Sequence, residues 1–269
     1  MEILEVYDKT SDLRYMGKNI FDAMDMFFCL FPKKYSKNYY RNLKSLKLFK
    51  VDDFYDNELD GYYDMNNNTL FFSDVSVIGH ELMHMASYDV VKGNYAFDNN
   101  DEDISNGFIE GMTEYLTIML WGENYISSYY FETFCASMLS NIDGIIKSYF
   151  MPNYDNFINL FPNKKDIYSL MYSLGYYSLK TEKIVDVTDV DKIEVLDRLK
   201  IKEAIKNTIN SLINIELSYE KDINNLIEYG DKFMDLITVD NVKEYLLNLC
   251  PEYLDYAYCQ VKQRIRCKR

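Results

Sequence analysis

Residues 80–84 read His-Glu-Leu-Met-His, and this pentapeptide constrains the fold of the chain more than any other stretch. On an α-helix, residues four apart lie on one face, so His80 and His84 can direct ring nitrogens toward one ion. Glu81 follows the first histidine, at a position from which a carboxylate can act as general base on a metal-bound water. Both histidines of the chain lie in this pentapeptide, and a chance arrangement explains neither their spacing nor the glutamate. The pattern therefore predicts a metal-binding helix.

The composition favours a largely helical protein. The 269 residues include only 10 Gly and 4 Pro, so few positions break helices, while 26 Tyr and 16 Phe supply large side chains for a core. A chain of this length forms one large domain or two packed subdomains. We expect an α+β fold, predominantly helical, with a zincin-like metal-binding core and a small sheet in residues 1–160. Residues 161–269 are predicted to form a helical C-terminal subdomain packed on that core or merged with it.

Local patterns place several elements before the histidines. Apolar residues recur at helical spacing over residues 12–31, which predicts a helix, and residues 46–51 are predicted to form a strand. Residues 61–72 contain two short β-prone runs around an Asn-rich turn, which predicts a hairpin. Its second strand leads through Ser73 and Asp74, both suitable N-caps, into the histidine helix. We expect a strand at this place to form a cleft rim whose edge can pair with an extended peptide.

The third metal ligand must come from a side chain other than histidine. A catalytic zinc usually binds three protein ligands and one water, and both histidines are already used. An acidic loop over residues 92–103 is followed by a predicted helix over residues 104–121, which carries Glu110 and Glu114 one turn apart. Glu110 can reach the metal while Glu114 accepts the free N–H of a ligand histidine. The alternative third ligands are Asp89, Asp101, Glu102 and Asp103.

The two motifs together resemble those of the gluzincin metallopeptidases, the thermolysin and alanyl-aminopeptidase-like group. The resemblance covers about residues 60–121, where His-Glu-x-x-His is followed by Glu-Gly-Met-Thr-Glu; the family typically has Asn-Glu-x-x-x-acid, and Ile109 stands in place of the Asn. It implies that Glu110 binds zinc and that Glu114 supports a histidine. It also implies a zincin-like fold that binds one Zn²⁺ per chain and hydrolyses peptide bonds of a peptide or protein substrate.

A peptidase also needs a group that stabilises the tetrahedral oxyanion. In gluzincins this is often a His or Tyr outside the two motifs, and no third histidine exists here. A tyrosine or an arginine must therefore serve. The tyrosines that follow the second helix are the candidates: Tyr129, Tyr130, Tyr172, Tyr176 and Tyr177.

Three alternatives to a peptidase stay open. The same metal ligands suit a hydrolase of non-peptide amides, which only substrate profiling separates from a peptidase. A zincin-like binding or regulatory protein with a non-catalytic zinc is the second alternative, although such a site has no need of Glu81. The third is an effector that acts in another cell or compartment.

Charge and targeting signals narrow the partners. The net charge of −14 opposes binding to nucleic acid or to an anionic membrane. The N-terminus shows no basic region followed by an apolar stretch, and apolar runs such as residues 26–31 are too short to span a bilayer. The five cysteines lack C-x-x-C spacing and are expected to be reduced thiols. We expect a cytoplasmic protein, with delivery elsewhere by a non-classical route left open; the oligomeric state is not predicted.

Overall fold

The computed structural model of the chain is mostly helical and contains a small sheet. It describes residues 3–6, 14–15, 18–51, 60–98, 102–121, 129–181 and 195–219. Helices account for 65% of these described residues. The predicted α+β, predominantly helical class is therefore confirmed. Among the described residues, no helix combines the length and the apolar character that a membrane span needs.

The elements of the described residues alternate between short strands and helices in the N-terminal half and are helical afterwards. The helices are α1 (Ile20–Phe28), α2 (Lys37–Leu43), α3 (Ile78–Ser87), α4 (Glu102–Trp121), α5 (Tyr130–Leu139), α6 (Ile145–Phe150), α7 (Tyr154–Ile158), α8 (Lys164–Thr181) and α9 (Val195–Tyr219). The strands are β1 (Ile3–Val6), β2 (Arg14–Tyr15), β3 (Lys18–Asn19), β4 (Lys47–Val51), β5 (Gly61–Asp64), β6 (Thr69–Phe72), β7 (Tyr88–Asp89) and β8 (Asn94–Tyr95).

A four-stranded sheet supports helix α3. Its strands lie in the order β1, β4, β6, β5, with β4 and β6 parallel and the other pairs antiparallel. Because side chains alternate between the faces of a strand, Leu48, Leu70 and Tyr63 share one face, and all three are buried. Gly61 lies on that same face and adjoins Glu81 of α3. The buried face of the sheet therefore packs against the helix that carries the histidines.

The hairpin predicted over residues 61–72 is confirmed. Strands β5 and β6 pair with Asp64 opposite Thr69, and the Asn-rich segment forms the turn. The Asp64 carboxylate accepts a hydrogen bond from the backbone N–H of Asn66 at 2.9 Å. Asn68 adopts a left-handed conformation with φ of 48°, which asparagine tolerates better than most residues. Turn chemistry readable in the sequence thus fixes the register of these two strands.

Helix α1 is shorter than the pattern over residues 12–31 predicts. It begins at Ile20, and its two preceding residues pair with β2 as strand β3. The Asn19 side chain accepts hydrogen bonds from the backbone N–H groups of Phe21 at 3.0 Å and Asp22 at 3.4 Å. The prediction was therefore wrong for the first part of this segment, because an N-cap at Asn19 satisfies the first free N–H groups and starts the helix there.

The chain divides into two units. The first contains residues 1–98, 112–128 and 143–157, and the second contains residues 99–111, 129–142 and 158–269. Helix α4 is continuous and passes from the second unit into the first. In the second unit, Asn214 near the end of α9 donates a hydrogen bond to Asp166 near the start of α8 at 3.1 Å, so these two helices run antiparallel. The predicted division near residue 160 stays a prediction.

Helix α3 is buried along its whole length. All ten of its residues are buried, and within the first unit it packs against the sheet, α1, α2 and α6. A side chain at Gly79 would meet Trp121, because a Cβ built there lies 2.5 Å from the indole Nε1. The absence of a side chain at Gly79 therefore lets the only tryptophan of the chain pack directly against the backbone next to His80.

Candidate metal centre

The start of α3 is set by one of the two predicted capping residues. The Asp74 carboxylate accepts the backbone N–H of Ser76 at 2.7 Å and caps a short 3-10 turn, Val75–Val77, which runs directly into α3. That hydrogen bond is the main reason why the pKa of Asp74 lies below its usual range. Ser73 instead donates its hydroxyl to the carbonyl of Asp60. Asp74 therefore begins the helix, and Ser73 ties it to the hairpin.

The two histidines direct their Nε2 atoms at each other. These atoms lie 2.9 Å apart, and both histidines are only 7% exposed. A divalent zinc binds imidazole nitrogen at about 2.0–2.1 Å, so one ion can bind two nitrogens at this spacing. Glu81 is 6% exposed on the same helix. The structure thus brings His80 and His84 together and buries Glu81 on the same helix.

A third donor comes from helix α4. Ring nitrogens of His80 and His84 and a carboxylate oxygen of Glu110 all lie within 4.8 Å of one another. In the described part of the chain, this is the group of His, Cys, Asp and Glu side chains close enough to hold a metal ion. Two imidazoles and one carboxylate form a donor set that suits a divalent metal, and all three side chains are buried or half-buried. The residues present therefore fit a metal ion.

A buried carboxylate holds the other nitrogen of His80. Glu114 is 1% exposed and lies 2.8 Å from His80 Nδ1 through its Oε2 atom. An ionised carboxylate only accepts hydrogen bonds, so this contact favours the His80 tautomer that carries its proton on Nδ1 and keeps the Nε2 lone pair free to bind an ion. Glu114 lies one helical turn after Glu110 on α4.

Hydroxyl groups hold the other nitrogen of His84. The Tyr95 hydroxyl hydrogen-bonds to His84 Nδ1, and Thr113 Oγ1 lies 3.3 Å from the same atom. Thr113 in turn shares a hydrogen bond of 2.6 Å with the Tyr149 hydroxyl. No sequence pattern indicated a role for these three residues at the histidines. They come from β8, α4 and α6, and no local spacing relates them to His84.

Of the alternative third ligands, only the Asp89 side chain lies within the described residues. Asp89 accepts a hydrogen bond from Arg41 at 2.9 Å and is not part of the metal-binding group. Asp101 lies outside the described residues, as do the side chains of Glu102 and Asp103. Among the acidic third-ligand candidates whose side chains the structure describes, Glu110 joins the metal-binding group and Asp89 does not.

The tyrosines considered as oxyanion stabilisers lie in different surroundings. Tyr177 is buried and packs against an aromatic ring of α5, whereas Tyr172 is 63% exposed on α8. Tyr176 lies under a lysine of the same helix, and Tyr129 is half-buried at the start of α5. The side chain of Tyr130 lies outside the described residues. The identity of the oxyanion-stabilising group stays a prediction.

Two of the five cysteines lie in the described residues, and both are free thiols. Cys29 is exposed. Cys135 is buried on α5, where burial, and next the nearby Glu132 carboxylate, raise the pKa of its thiol well above the usual range. A protonated thiol is a poor nucleophile and a poor metal ligand. Cys135 is therefore a packing residue.

In the described residues, β1 and β5 lie at the two edges of the sheet and β6 lies between β4 and β5. The expectation that the strand leading into α3 forms an edge was therefore wrong, and β5 is the edge strand on that side. A Cβ built on Gly61, the first residue of β5, would lie 2.7 Å from Val77 and 3.4 Å from the Glu81 side chain. The missing side chain at Gly61 leaves room for the Val77 side chain and lets β5 pack against the part of α3 that carries Glu81.

Two glycines let neighbouring helices approach α4 closely. A Cβ built on Gly107 would lie 2.7 Å from the carbonyl oxygen of Leu174 in α8, and one on Gly111 would lie 2.2 Å from that of Glu132 in α5. Any larger residue would therefore push these backbones apart. Gly111 directly follows Glu110, so the packing that fixes this part of α4 also fixes the position of the carboxylate.

Comparisons with known proteins give no relative for the chain. No protein-family model, curated protein or solved structure matches it.

Proposed function

We propose that the chain is a zinc-dependent metallopeptidase of the gluzincin type, with a zincin-like core built on α3, α4 and the four-stranded sheet. The observation that carries this proposal is the convergence of three donor atoms from His80, His84 and Glu110 within 4.8 Å. The buried carboxylate of Glu81 accompanies them on α3. A purely structural metal site needs three or four ligands but has no use for this additional acid.

The donor set favours zinc and an open coordination position. Two histidines and one glutamate are the ligands of a common class of catalytic zinc sites, which leave the fourth position to water or substrate. Structural zinc sites are instead closed by four protein ligands, usually including cysteine. Zinc therefore fits both the number and the chemistry of the side chains that His80, His84 and Glu110 supply.

The residues of the chain divide the chemistry among them. A bound zinc ion supplies Lewis acidity, which lowers the pKa of a bound water to about 7 and polarises a carbonyl group. Glu81 accepts the proton of the attacking water and delivers it to the leaving amine. Glu114 holds His80 in the tautomer whose Nε2 is free to bind. Burial of these groups strengthens their mutual electrostatic interactions.

The edge strand β5 supplies a place for an extended peptide. An edge strand offers unpaired N–H and C=O groups, which can bind a peptide by adding it as a further strand. Gly61 places the start of this edge against the Glu81 side chain. A peptide paired with β5 would lie next to the strand whose first residue faces Glu81, and we infer that the substrate is a peptide or an extended segment of a protein.

The test is peptide cleavage by the zinc-loaded protein and by Glu81→Gln. We expect the wild type to cleave members of a peptide library and the variant to lose turnover by about 10²- to 10⁴-fold while it still binds zinc, since general base catalysis contributes this much. Glu203→Gln, an exposed change on α9, is the control and should keep full activity. Full activity of Glu81→Gln would contradict the mechanism. Turnover of simple amides but of no peptide would contradict the substrate class.

A further inference from the structure

The Nε2 atoms of the two histidines face each other, and their Nδ1 atoms have different hydrogen-bond partners. His80 Nδ1 hydrogen-bonds to a carboxylate, that of Glu114. His84 Nδ1 is held by two hydroxyls, those of Tyr95 and Thr113. Neutral hydroxyls therefore hold the His84 ring by its Nδ1 atom, whereas a carboxylate holds the His80 ring in the same way. This difference suggests that the segment carrying Tyr95 orients His84.

That segment is the hairpin of β7 and β8, which follows α3 directly. Strand β7 begins at Tyr88, immediately after the last residue of α3, and Tyr88 pairs with Tyr95. The chain therefore leaves α3, reverses at the turn and returns Tyr95 to the helix it has just left. The short connection restricts where the Tyr95 hydroxyl can lie relative to His84.

Side chains from α2 anchor the start of this hairpin. The Asn42 amide donates to the carbonyl of Met85 at 3.0 Å and to that of Tyr88 at 2.9 Å, and so joins the end of α3 to β7. The Arg41 guanidinium contacts the Asp89 carboxylate at 2.9 Å. These contacts satisfy polar groups at the C-terminal end of α3 and hold β7 in place.

The returning strand is also anchored. The Asn94 amide donates to the carbonyl of Pro152 at 3.3 Å, and the backbone N–H of Ala96 donates to the carbonyl of Ser87 at 3.1 Å. Ala96 adopts a left-handed conformation with φ of 38°, which costs about 1 kcal/mol for a residue with a Cβ. The fold thus accepts local strain directly after Tyr95 where the backbone turns.

Hydroxyls can carry out this task because they both donate and accept hydrogen bonds. When His84 binds an ion through Nε2, its proton must lie on Nδ1, and the oxygens of Tyr95 and Thr113 accept it. Tyr149 shares a hydrogen bond with Thr113 and so orients that hydroxyl. The Tyr95 ring lies 6.0 Å from the imidazole, so it also limits rotation of the ring.

We propose that Tyr95 and Thr113 are positioning residues of the metal centre, and that hairpin β7–β8 is the arm that holds His84 in its metal-binding orientation. This inference rests on the proposed function, since it concerns the same metal site. Substitution of a residue that holds a metal-bound histidine typically lowers metal affinity by about 10- to 100-fold. The hydroxyl of Tyr95 is thereby assigned to the metal centre and not to the oxyanion.

The test compares zinc affinity across matched variants of the full chain. Tyr95→Phe and Thr113→Val each remove one hydroxyl and keep nearly the same shape, while Thr113→Ser restores the hydroxyl. Tyr88→Phe makes the same chemical change on the same hairpin and is the control. Zinc dissociation constants are measured by competition with a chelator. The absorption of the Co²⁺-loaded proteins reports ligand geometry, and thermal unfolding without metal reports whether each variant folds.

We expect Tyr95→Phe to weaken zinc binding by about tenfold or more and to alter the Co²⁺ spectrum, with little change in metal-free unfolding. Thr113→Val should weaken binding by about threefold to tenfold, as expected for one neutral hydrogen bond, and Thr113→Ser should recover it. Wild-type affinity and spectrum in Tyr95→Phe, with zinc bound by the wild type, would overturn this inference and leave the proposed function standing. A wild type that binds no zinc would overturn both.

Discussion

Helices α3 and α4 contribute to the candidate metal centre in different ways. Helix α3 is ten residues long, is buried on every side and carries the histidine pair with Glu81. Helix α4 is twenty residues long and passes from one unit of the chain to the other. It carries the two acids Glu110 and Glu114 together with glycines that admit other helices. The short helix is enclosed by its neighbours on all sides. The long helix carries Glu110 next to glycines that pack against α5 and α8.

This difference predicts how substitutions on each helix will affect the metal site. A change on α3 alters a donor or the general base directly, because nearly every side chain there is enclosed. A change on α4 can act indirectly, because the part of the helix that carries Glu110 packs closely against α5 and α8. Three predictions test this contrast.

Gly111→Ala should cause the largest loss of stability. Its Cβ would lie 2.2 Å from a backbone oxygen of α5, so that helix or α4 itself must move. Alanine favours the helix by about 1 kcal/mol over glycine, but forcing an atom into a close backbone contact costs more. We expect a net loss of about 2 kcal/mol in the free energy of unfolding, measured with urea, and weaker zinc binding through Glu110. Met119→Ala, on an exposed position of α4, should change stability little.

An unchanged free energy of unfolding for Gly111→Ala would mean that α5 does not fix the position of α4. The contrast between the two helices would then lose its physical basis.

Glu114→Gln should have an intermediate effect, on zinc affinity. The amide keeps the size of the side chain but loses the charge that holds the Nδ1 proton of His80. We expect zinc to bind about ten- to a hundredfold more weakly, because residues that orient metal-bound histidines have effects of this size. The measurement is chelator competition at pH 7. Equal affinities for the wild type and Glu114→Gln would show that the charge on α4 does not support the histidine.

Asp74→Ala should have the smallest effect, and one that depends on pH. The hydrogen bond from Ser76 lowers the pKa of Asp74 in the folded chain, so its stabilisation is present above the pKa of the unfolded chain, about 3.9, and is lost as the pH falls through the folded value. We expect a loss of about 1 kcal/mol at pH 7, typical of a helix cap. Urea unfolding in the presence of a chelator, at pH 7 and at pH 3, measures it.

The difference between wild type and Asp74→Ala should shrink at pH 3. A difference of the same size at both pH values would show that the charge of Asp74 plays no part. Glu203→Ala, an exposed change on α9, is the control for a general effect of removing one acid.

Local patterns in the sequence were sufficient for the elements that carry the site. The spacing of His80 and His84 and that of Glu110 and Glu114 follow from helical periodicity, and the structure contains helices at both places. The Asn-rich turn predicted the hairpin of β5 and β6. These features depend on residues close together in the chain, and their signals are therefore readable without a structure.

The rest depended on contacts between distant residues. Tyr95 is one of 26 tyrosines, and nothing near it in sequence marks the one whose hydroxyl reaches His84. Gly111 was noticed as part of a motif, but its packing against α5 requires knowledge of how the helices cross. The predicted start of helix α1 was too early, because apolar residues recur at helical spacing also on the N-terminal side of the Asn19 cap. In each case a tertiary contact or a cap outweighed the periodic pattern.

The most direct test of the central claim is the zinc content of the purified chain, measured by elemental analysis for the wild type, Glu110→Ala and the control Glu203→Ala. We predict one zinc ion per chain in the wild type and in the control. Loss of a direct ligand should weaken binding by more than the roughly hundredfold effect of a supporting residue, so Glu110→Ala should lose zinc on dialysis. Full zinc content in Glu110→Ala, or none in the wild type, would contradict the assignment of His80, His84 and Glu110 as a zinc site.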